Sequence, residues 1–262
     1  MEKFSLAEQV VVEIARSFKP EDDFVTQAVS ISGLVALALA QRLYAPNIHM
    51  VGLAKGGSAL LHDVSFTFPI EFGMDNTPPQ FVESIISMSE IFDYVVKGKW
   101  FILMQPAQID LYGNANTLLA GDKRKPKRAF IGPRGLPCNT VNAPVTYYLV
   151  TNHNPKIFVE KVDFVCGVGY CQARENGLVK WGAVSRVFTN LGVFDFDEKT
   201  QRMRIKSIHP GVAAQQVIDN TGFQLVVPDN LPVSRPPTEE ELSLLRTHID
   251  PLGLSKMDFP AG

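Results

Sequence analysis

Residues 100–110 read WFILMQPAQID. Five apolar residues in unbroken succession, followed by a proline and a polar end, form the pattern of a central parallel strand buried on both faces. Such a strand needs helices on both sides, so the flanking sequence decides the fold. Upstream, PPQFVESIISMSEIFDYVVKGK (78–99) opens on prolines and closes at Gly98, and is expected to be one long helix. NIHMVGL (47–53) and DDFVTQAVS (22–30) read as strands. GLVALALAQRLYA (33–45) is an Ala/Leu-rich buried helix stopped by Pro46. SLAEQVVVEIARSF (5–18) is a helix with Ser5 as N-cap and Glu8 completing a capping box. This alternation predicts an α/β fold with an open, largely parallel sheet flanked by helices.

Downstream the character changes. TYYLVTNHN (146–154), KIFVEKVDFVCGVG (156–169), VKWGAVSRVFTN (179–190), GVFDFD (192–197) and RMRIKSIHP (202–210) all read as strands, with a hairpin around Asp197 to Thr200. The C-terminal half is therefore expected to be more antiparallel. GVAAQQVIDNTGF (211–223) is a short helix stopping at Gly222. A Pro-rich link precedes a helix capped by Thr238 and Glu241. With no repeat and no low-complexity tract, residues 1–262 are expected to form a single domain whose tail, 234–262, is helical.

Composition narrows the class. Apolar residues are 45% and charged residues 20% of the 262, the balance of a soluble globular protein. A net charge of -2 argues against a protein devoted to nucleic acid or to an anionic membrane. Three cysteines suit a reducing compartment and are too few for a disulfide framework. Glu2, Glu8 and Glu13 break the order of a signal peptide, and the longest apolar run falls short of the roughly 20 residues that span a bilayer. The expectation is a cytoplasmic enzyme or binding subunit, with no nucleic-acid or membrane partner.

Residues 42–63, RLYAPNIHMVGLAKGGSALLHD, read as helix end, turn, buried strand and Gly-rich loop, where many α/β enzymes keep their chemistry. Yet no acid occurs from Ile48 to Leu61. Ser58 and His62 stand four apart without an orienting acid and are read as structural. IGPRG (131–135) offers Gly132 and Gly135, whose backbone N–H groups could cradle an anion, and Arg134, which could grip a carboxylate with two prongs. The alternative for this loop is an ordinary turn with a solvated arginine. Gln108, Asp110, Gly113, Asn114 and Asn116 follow the central strand; their amides either hold a thioester or pantetheine amide or close an Asx turn. Lys123, Arg124, Lys125, Lys127 and Arg128 could meet phosphates, but are read first as a solvated basic loop or a patch facing an acidic partner. Cys166 and Cys171 lack a second ligand pair, so no metal site is expected. Asn176-Gly177 is a hairpin turn signal, and its neighbour Glu175 is a weak further candidate.

Several of these stretches together resemble the β-subunit, or C-terminal half, of family I coenzyme A transferases. They are AQRLYAPNIHMV, AQIDLYGNANT, GDKRKPKRAFIGPRG, the region RVFTNLGVFDFDEKTQRMRIKSIHPGVAAQQVIDNTGFQL, and the closing Ile249-Asp250-Pro251. Their order and spacing carry the likeness, from about residue 28 to residue 251. The resemblance implies an acyl-CoA substrate and a homologous α-subunit, in an αβ heterodimer or α2β2 heterotetramer.

The resemblance also implies a nucleophilic glutamate just after the NIHMV strand, and this chain has Leu53 there. Leucine is no nucleophile, acid or base, so transfer through a glutamyl-CoA intermediate on this chain is excluded. A branch that lacks this glutamate on its β-subunit is that of the actinobacterial cholesterol-ring-cleaving hydrolases, and this chain most resembles that branch. The expected function is then the β-subunit of a hydrolase opening the ring of a steroid-derived cyclohexenone-carboxyl-CoA, with the catalytic carboxylate on the α-subunit and none on this chain. Gln108, Asn114, Gly132, Arg134 and Gly135 are its expected substrate- and CoA-binding residues. No cofactor is expected, CoA being part of the substrate. The alternatives are the β-subunit of an acyl-CoA:carboxylate CoA-transferase and a non-catalytic acyl-CoA-binding or scaffold subunit.

Overall fold

The computed structural model describes residues 4–54, 57–67, 77–133, 135–170, 172–177, 179 and 182–259. They group into two compact units, one formed by residues 1–103 with 236–262, the other by 104–235.

The first unit begins with helix α1 (Leu6–Ala15), opened by the capping box read from the sequence: Ser5 Oγ accepts from Glu8 N, and Glu8 accepts from Ser5 N at 2.6 Å. Strand β1 (Val25–Ala28) leads into α2 (Ile31–Leu43), which is buried from Ser32 to Gln41 without a break. A helix apolar all round has to be covered all round, and α1 and the C-terminal segment do this. Gly33 lets α2 approach the sheet, because a Cβ there would lie 2.6 Å from Leu103 Cδ2 and 2.8 Å from Ala28 Cβ.

Strands β2 (His49–Ala54) and β3 (Gly57–Leu61) follow, then β4 (Val82–Ile86), helix α3 (Met88–Val96) and β5 (Trp100–Met104). Their order is β5-β1-β2-β3-β4. β5 and β2 both pair with β1 in parallel, and all of β5 is buried, as WFILM requires. Parallel pairing ends there: β2-β3 and β3-β4 are antiparallel. Two expectations are corrected. In the Gly-rich stretch after NIHMVGL, the described residues from Gly57 on form a strand paired with β2, while Lys55 and Gly56 lie outside the described residues. The single long helix 78–99 is a strand followed by a shorter helix, since Val82, Ile85 and Ile86 belong to a segment paired with β3 and a second capping box, Ser87 with Glu90, starts α3 nine residues later than Pro79.

The second unit contains the short pair β6 (Gln108–Ile109) and β7 (Ala115–Asn116), the hairpin β8 (Leu119–Asp122) and β9 (Lys125–Ala129), and helix α4 (Leu136–Asn142). After these come β10 (Val145–Val150), the helical turn α5 (Gln172–Glu175), β11 (Ala183–Thr189), β12 (Gly192–Phe196), β13 (Met203–Ile208) and α6 (Ala214–Asp219). The order β13-β12-β11-β10 joins one parallel pair, β10-β11, to two antiparallel ones, in keeping with a more antiparallel second half. The β12-β13 turn is held by Asp197 Oδ1, which accepts from Thr200 N at 2.8 Å.

KIFVEKVDFVCGVG is irregular rather than a strand. Phe158, Val162 and Cys166 are buried at intervals of four while Phe164 and Val165 are exposed, a spacing that no flat strand provides. Its only ladder contacts among the described residues are single bridges, Ile109 to Phe158 and Ala115 to Gly167. Asn176-Gly177 closes a helical turn rather than a hairpin, with Gly177 at φ +70°.

The chain then returns to the first unit. Helix α7 (Glu239–Leu244) carries the expected Thr238–Glu241 capping box and continues as a π turn to Ile249. Arg16 donates to both oxygens of Glu241, at 2.7 Å each, and the Tyr44 hydroxyl donates to the same carboxylate. Burial opposes ionisation of Glu241, but these bonds outweigh it and hold the carboxyl at about 2. No helix among the described residues is long and apolar enough to cross a membrane.

Candidate functional site

Leu53, which stands where the resemblance implies a glutamate, lies in β2, where its backbone pairs with Ser58 of β3. Ser58 is buried and His62 exposed; residues four apart in an extended chain stand roughly 13 Å apart, so no Ser–His couple forms.

The block that follows β5 closes on itself. Asp110 Oδ1 accepts from the N–H groups of Tyr112 and Asn114, both at 3.0 Å, and Gly113 takes φ +77° to complete the turn. Asn114 Nδ2 donates to Asp110 Oδ2 at 3.0 Å, while its Oδ1 accepts from Gly169 N at 3.0 Å. Gly169 runs so close to this turn that a Cβ would sit 2.1 Å from Tyr112 O. Burial raises the Asp110 carboxyl above the ordinary aspartate range, against the hydrogen bonds from Asn114 and Tyr112 that lower it.

Gln108 Oε1 accepts from Asn116 Nδ2 at 2.6 Å and from Asp163 N at 3.1 Å, and its Nε2 donates to Asp163 Oδ2 at 2.9 Å. Both amides named as candidate ligand contacts, Gln108 and Asn114, are thus buried and spent on internal partners. Of the two readings open for them, the geometry is that of the Asx turn and its support.

In the Gly-rich loop, Gly132 N donates to Thr117 O of this block at 3.0 Å. Gly132 has φ +95°, and among the described residues beyond its chain neighbours nothing lies within 4 Å of where its Cβ would be. Gly135 precedes α4, accepting from Asn139 N at 2.8 Å. Arg134 lies outside the described residues. The loop backbone can therefore meet a ligand, and Gly132 and Gly135 share one short segment.

Lys123, Arg124, Lys125, Lys127 and Arg128 form no loose loop. They sit on the turn and second strand of the β8-β9 hairpin, all exposed, with Asp122 Oδ1 accepting from Arg124 N at 2.7 Å. Arg128 stacks over the Phe130 ring at 5.6 Å. Glu175 is exposed at the end of α5, and Cys138 and Cys166 are free thiols. No cluster of three or more His, Cys, Asp or Glu with metal-ligand spacing occurs among the described residues.

One residue escaped the sequence reading. Thr117, at the end of the GNANT block, is 4% exposed, and its Oγ1 is buried without a hydrogen-bond partner. The only signal was its place directly after Asn116.

The motif histidines prove structural. His153 stacks on Phe158 at 3.7 Å, and its ring nitrogens meet the Thr189 and Thr221 hydroxyls. The Thr221 proton goes to Val217 O, so His153 Nε2 donates to Thr221. Burial pulls His153 down to about 3, and it is neutral. His209, lowered in the same direction by burial, donates to Thr189 O at 2.9 Å.

A family profile described as coenzyme A transferase matches residues 6–220. The cholesterol ring-cleaving hydrolase IpdB subunit of Rhodococcus jostii is 41% identical over 174 residues, 66% of this chain and 68% of that one. The IpdB subunit of Mycobacterium tuberculosis is 34% identical over 249 residues, 95% of this chain and 96% of that one. The crystal structure of Rhodococcus jostii RHA1 IpdAB superposes with a TM-score of 0.87 at 31% identity, covering 99% of this chain and 100% of its counterpart. With the profile spanning most of the chain and the Mycobacterium tuberculosis relative matching 95% of it, this chain belongs to the coenzyme A transferase family.

Proposed function

We propose that this chain is the β-subunit of a heteromeric, cytoplasmic hydrolase that opens the ring of a steroid-derived cyclohexenone-carboxyl-CoA, working beside a homologous α-subunit. The observation that carries the reading is Leu53, an inert side chain at the position where a family transferase holds its nucleophilic glutamate, in a chain otherwise similar to IpdB subunits along nearly its whole length. In the proposed reaction, water adds to a ring ketone β to the thioester. The ring C–C bond breaks, leaving a carboxylate and a thioester enolate that takes up a proton. This needs one carboxylate to move protons, assigned to the α-subunit, and N–H donors to hold the oxyanion, a task suited to the 132–135 backbone. It uses no cofactor beyond the CoA within the substrate.

The test is reconstitution with the α-like partner. Leu53→Glu is expected to impair ring opening, because it puts an ionised acid where this chain carries an apolar side chain, without creating efficient CoA transfer to a free acid. A competent transferase with a trapped glutamyl-CoA adduct would sink the reading and favour the transferase alternative. Arg134→Ala is expected to raise KM roughly ten- to a hundredfold for substrates with a side-chain carboxylate, the value of a lost two-pronged charged contact. Arg134→Lys should recover only part. Equal kinetics with and without that carboxylate would make Arg134 a solvated turn cation.

A further inference from the structure

Apolar side chains gather on one edge of the first unit. Met88, Phe92 and Val96 are 61%, 45% and 54% exposed, and Ile85, just before them, is 52% exposed. Spaced four apart, the first three form one line along α3. Ile91 and Val95 are the only residues this helix buries, so its apolar arc is wider than its own packing uses. Ser89, Asp93 and Lys97, also four apart and exposed, run beside the line as a polar margin. Single exposed hydrophobics are ordinary, whereas a contiguous strip with a polar rim marks a protein–protein surface.

The strand that leads into the helix is bare as well. β4 ends the order β5-β1-β2-β3-β4, and no strand or bridge lies on its outer side among the described residues. The second unit treats its own edge differently. There β13 is backed by its own chain, with Ile205 N donating to Val226 O and Ile208 N to Pro232 O, both at 3.0 Å. An edge is normally covered in some such way, because its free N–H and C=O groups invite another chain.

Register shows what this surface adjoins. Leu53 pairs with Ser58, and Ser58 with Ile86, the last residue of β4. Two strand spacings, about 10 Å, therefore lead from Leu53 to Ile86. Met88 begins α3 two residues later. On the other side, the parallel pairing of Thr26 with Met50, continued by three residues, brings Val29 level with Leu53, and Val29 is 43% exposed. Exposed apolar groups thus flank the row in which a family transferase keeps its glutamate. The proposed reaction requires a carboxylate of the α-subunit at that row, and a chain seated on the start of α3 is placed to deliver it.

We propose that the α3 strip and the open edge of β4 are the docking surface for the α-subunit, which covers Met88, Phe92 and Val96 and brings its carboxylate to the Leu53 row. The proposal rests on the reading of this chain as a β-subunit whose carboxylate comes from its partner. Assembly and ring opening are measured separately, so that the two can fail independently.

The experiment is sedimentation velocity of the reconstituted complex over a dilution series, with ring opening assayed on the same samples. Met88→Glu is expected to weaken α-subunit binding about tenfold and Phe92→Asp about a hundredfold, as for a charge placed in a buried apolar contact. Met257→Glu puts the same charge on a methionine of the C-terminal segment that is 72% exposed, and should leave association unchanged. Activity should fall in step with the fraction assembled and recover at high subunit concentration, which damage to the site itself would not allow. Met88 packs less than Phe92, so its variant decides the matter where Phe92→Asp folds poorly. Wild-type affinity for the α-subunit in Met88→Glu overturns the proposal and leaves the ring-opening reading intact. An α2β2 complex that falls to αβ with α-subunit affinity kept also overturns it, and assigns the strip to a second copy of this chain. A wild-type complex that assembles through the strip but opens no ring upholds the surface and removes the proposed reaction. A wild-type chain that binds no α-subunit removes both.

Discussion

In the first unit, distant parts of the chain meet through charge: Arg16 on Glu241, and Arg246 on Glu8 at 2.6 Å across 238 positions. The interior of the second unit is joined mostly by neutral groups. His153 bridges two threonines, Thr189 also receives His209, Asn116 holds Gln108, and the buried carboxylate of Asp110 is wrapped in amides, although the buried Asp195 keeps an ion pair with Arg204. Charge can tie a tail to a surface and still be screened. A neutral network fixes a loop only if every member is present. The part of the molecule that presents the Gly-rich loop is built in the second way.

The largest effect should come from Asn114→Ala, which strips the side-chain amide donor from Asp110 and leaves Gly169 N without its acceptor. The expected cost is about 3 kcal/mol, the usual consequence of abandoning a buried carboxylate. Thermal unfolding of the complex measures it, and a change under roughly 1 kcal/mol would mean that the turn survives without its latch.

Next is acid. His153 is held neutral down to about 3, whereas an exposed histidine protonates near 6.5. Below 6.5 the unfolded chain therefore takes up a proton that the folded one refuses. Stability is complete above that pH and falls by up to about 1.4 kcal/mol per pH unit as pH drops toward 3. Glu241, held at about 2, has the same sign in a lower window, beginning near the ordinary glutamate value of 4.5. Hydrogen exchange between pH 6.5 and 4.5 should thus loosen peptides around 146–222 before those around 5–45. The reverse order would break the contrast drawn between the units.

The smallest effect is expected for Arg246→Ala. Its side chain is half exposed, so solvent screening should keep the loss below about 1 kcal/mol and moderate salt should erase it. A larger, salt-independent loss would show that the tail depends on packing rather than charge.

What the sequence could tell followed from how far apart the cooperating residues lie. Ser5 with Glu8 and Thr238 with Glu241 are three apart, and both capping boxes were legible. Gln108 and Asn114 looked like ligand contacts because their partners, Asp163 and Gly169, stand 55 positions away. β3 was hidden by its glycines, and β4 by the helix that follows it, since Val82 to Val96 has an apolar spacing that either element tolerates. Thr117 carried no signal beyond its place after Asn116, because an unsatisfied hydroxyl is a property of surroundings and not of spacing.

The Asp110–Asn114–Gly169 latch bears on how new enzymes arise in this family. Asp110 and Asn114 lie in one of the stretches by which the lineage is recognised, yet they face inward and, with Gly169, act on one another. Selection on folding can preserve them while the reaction at the surface is exchanged. Under the proposed function, the change that removes acyl transfer is one residue in β2, a strand whose backbone pairing accepts leucine as readily as glutamate. Descent and chemistry are recorded at different addresses in this chain, and a lineage that keeps the first remains free to rewrite the second.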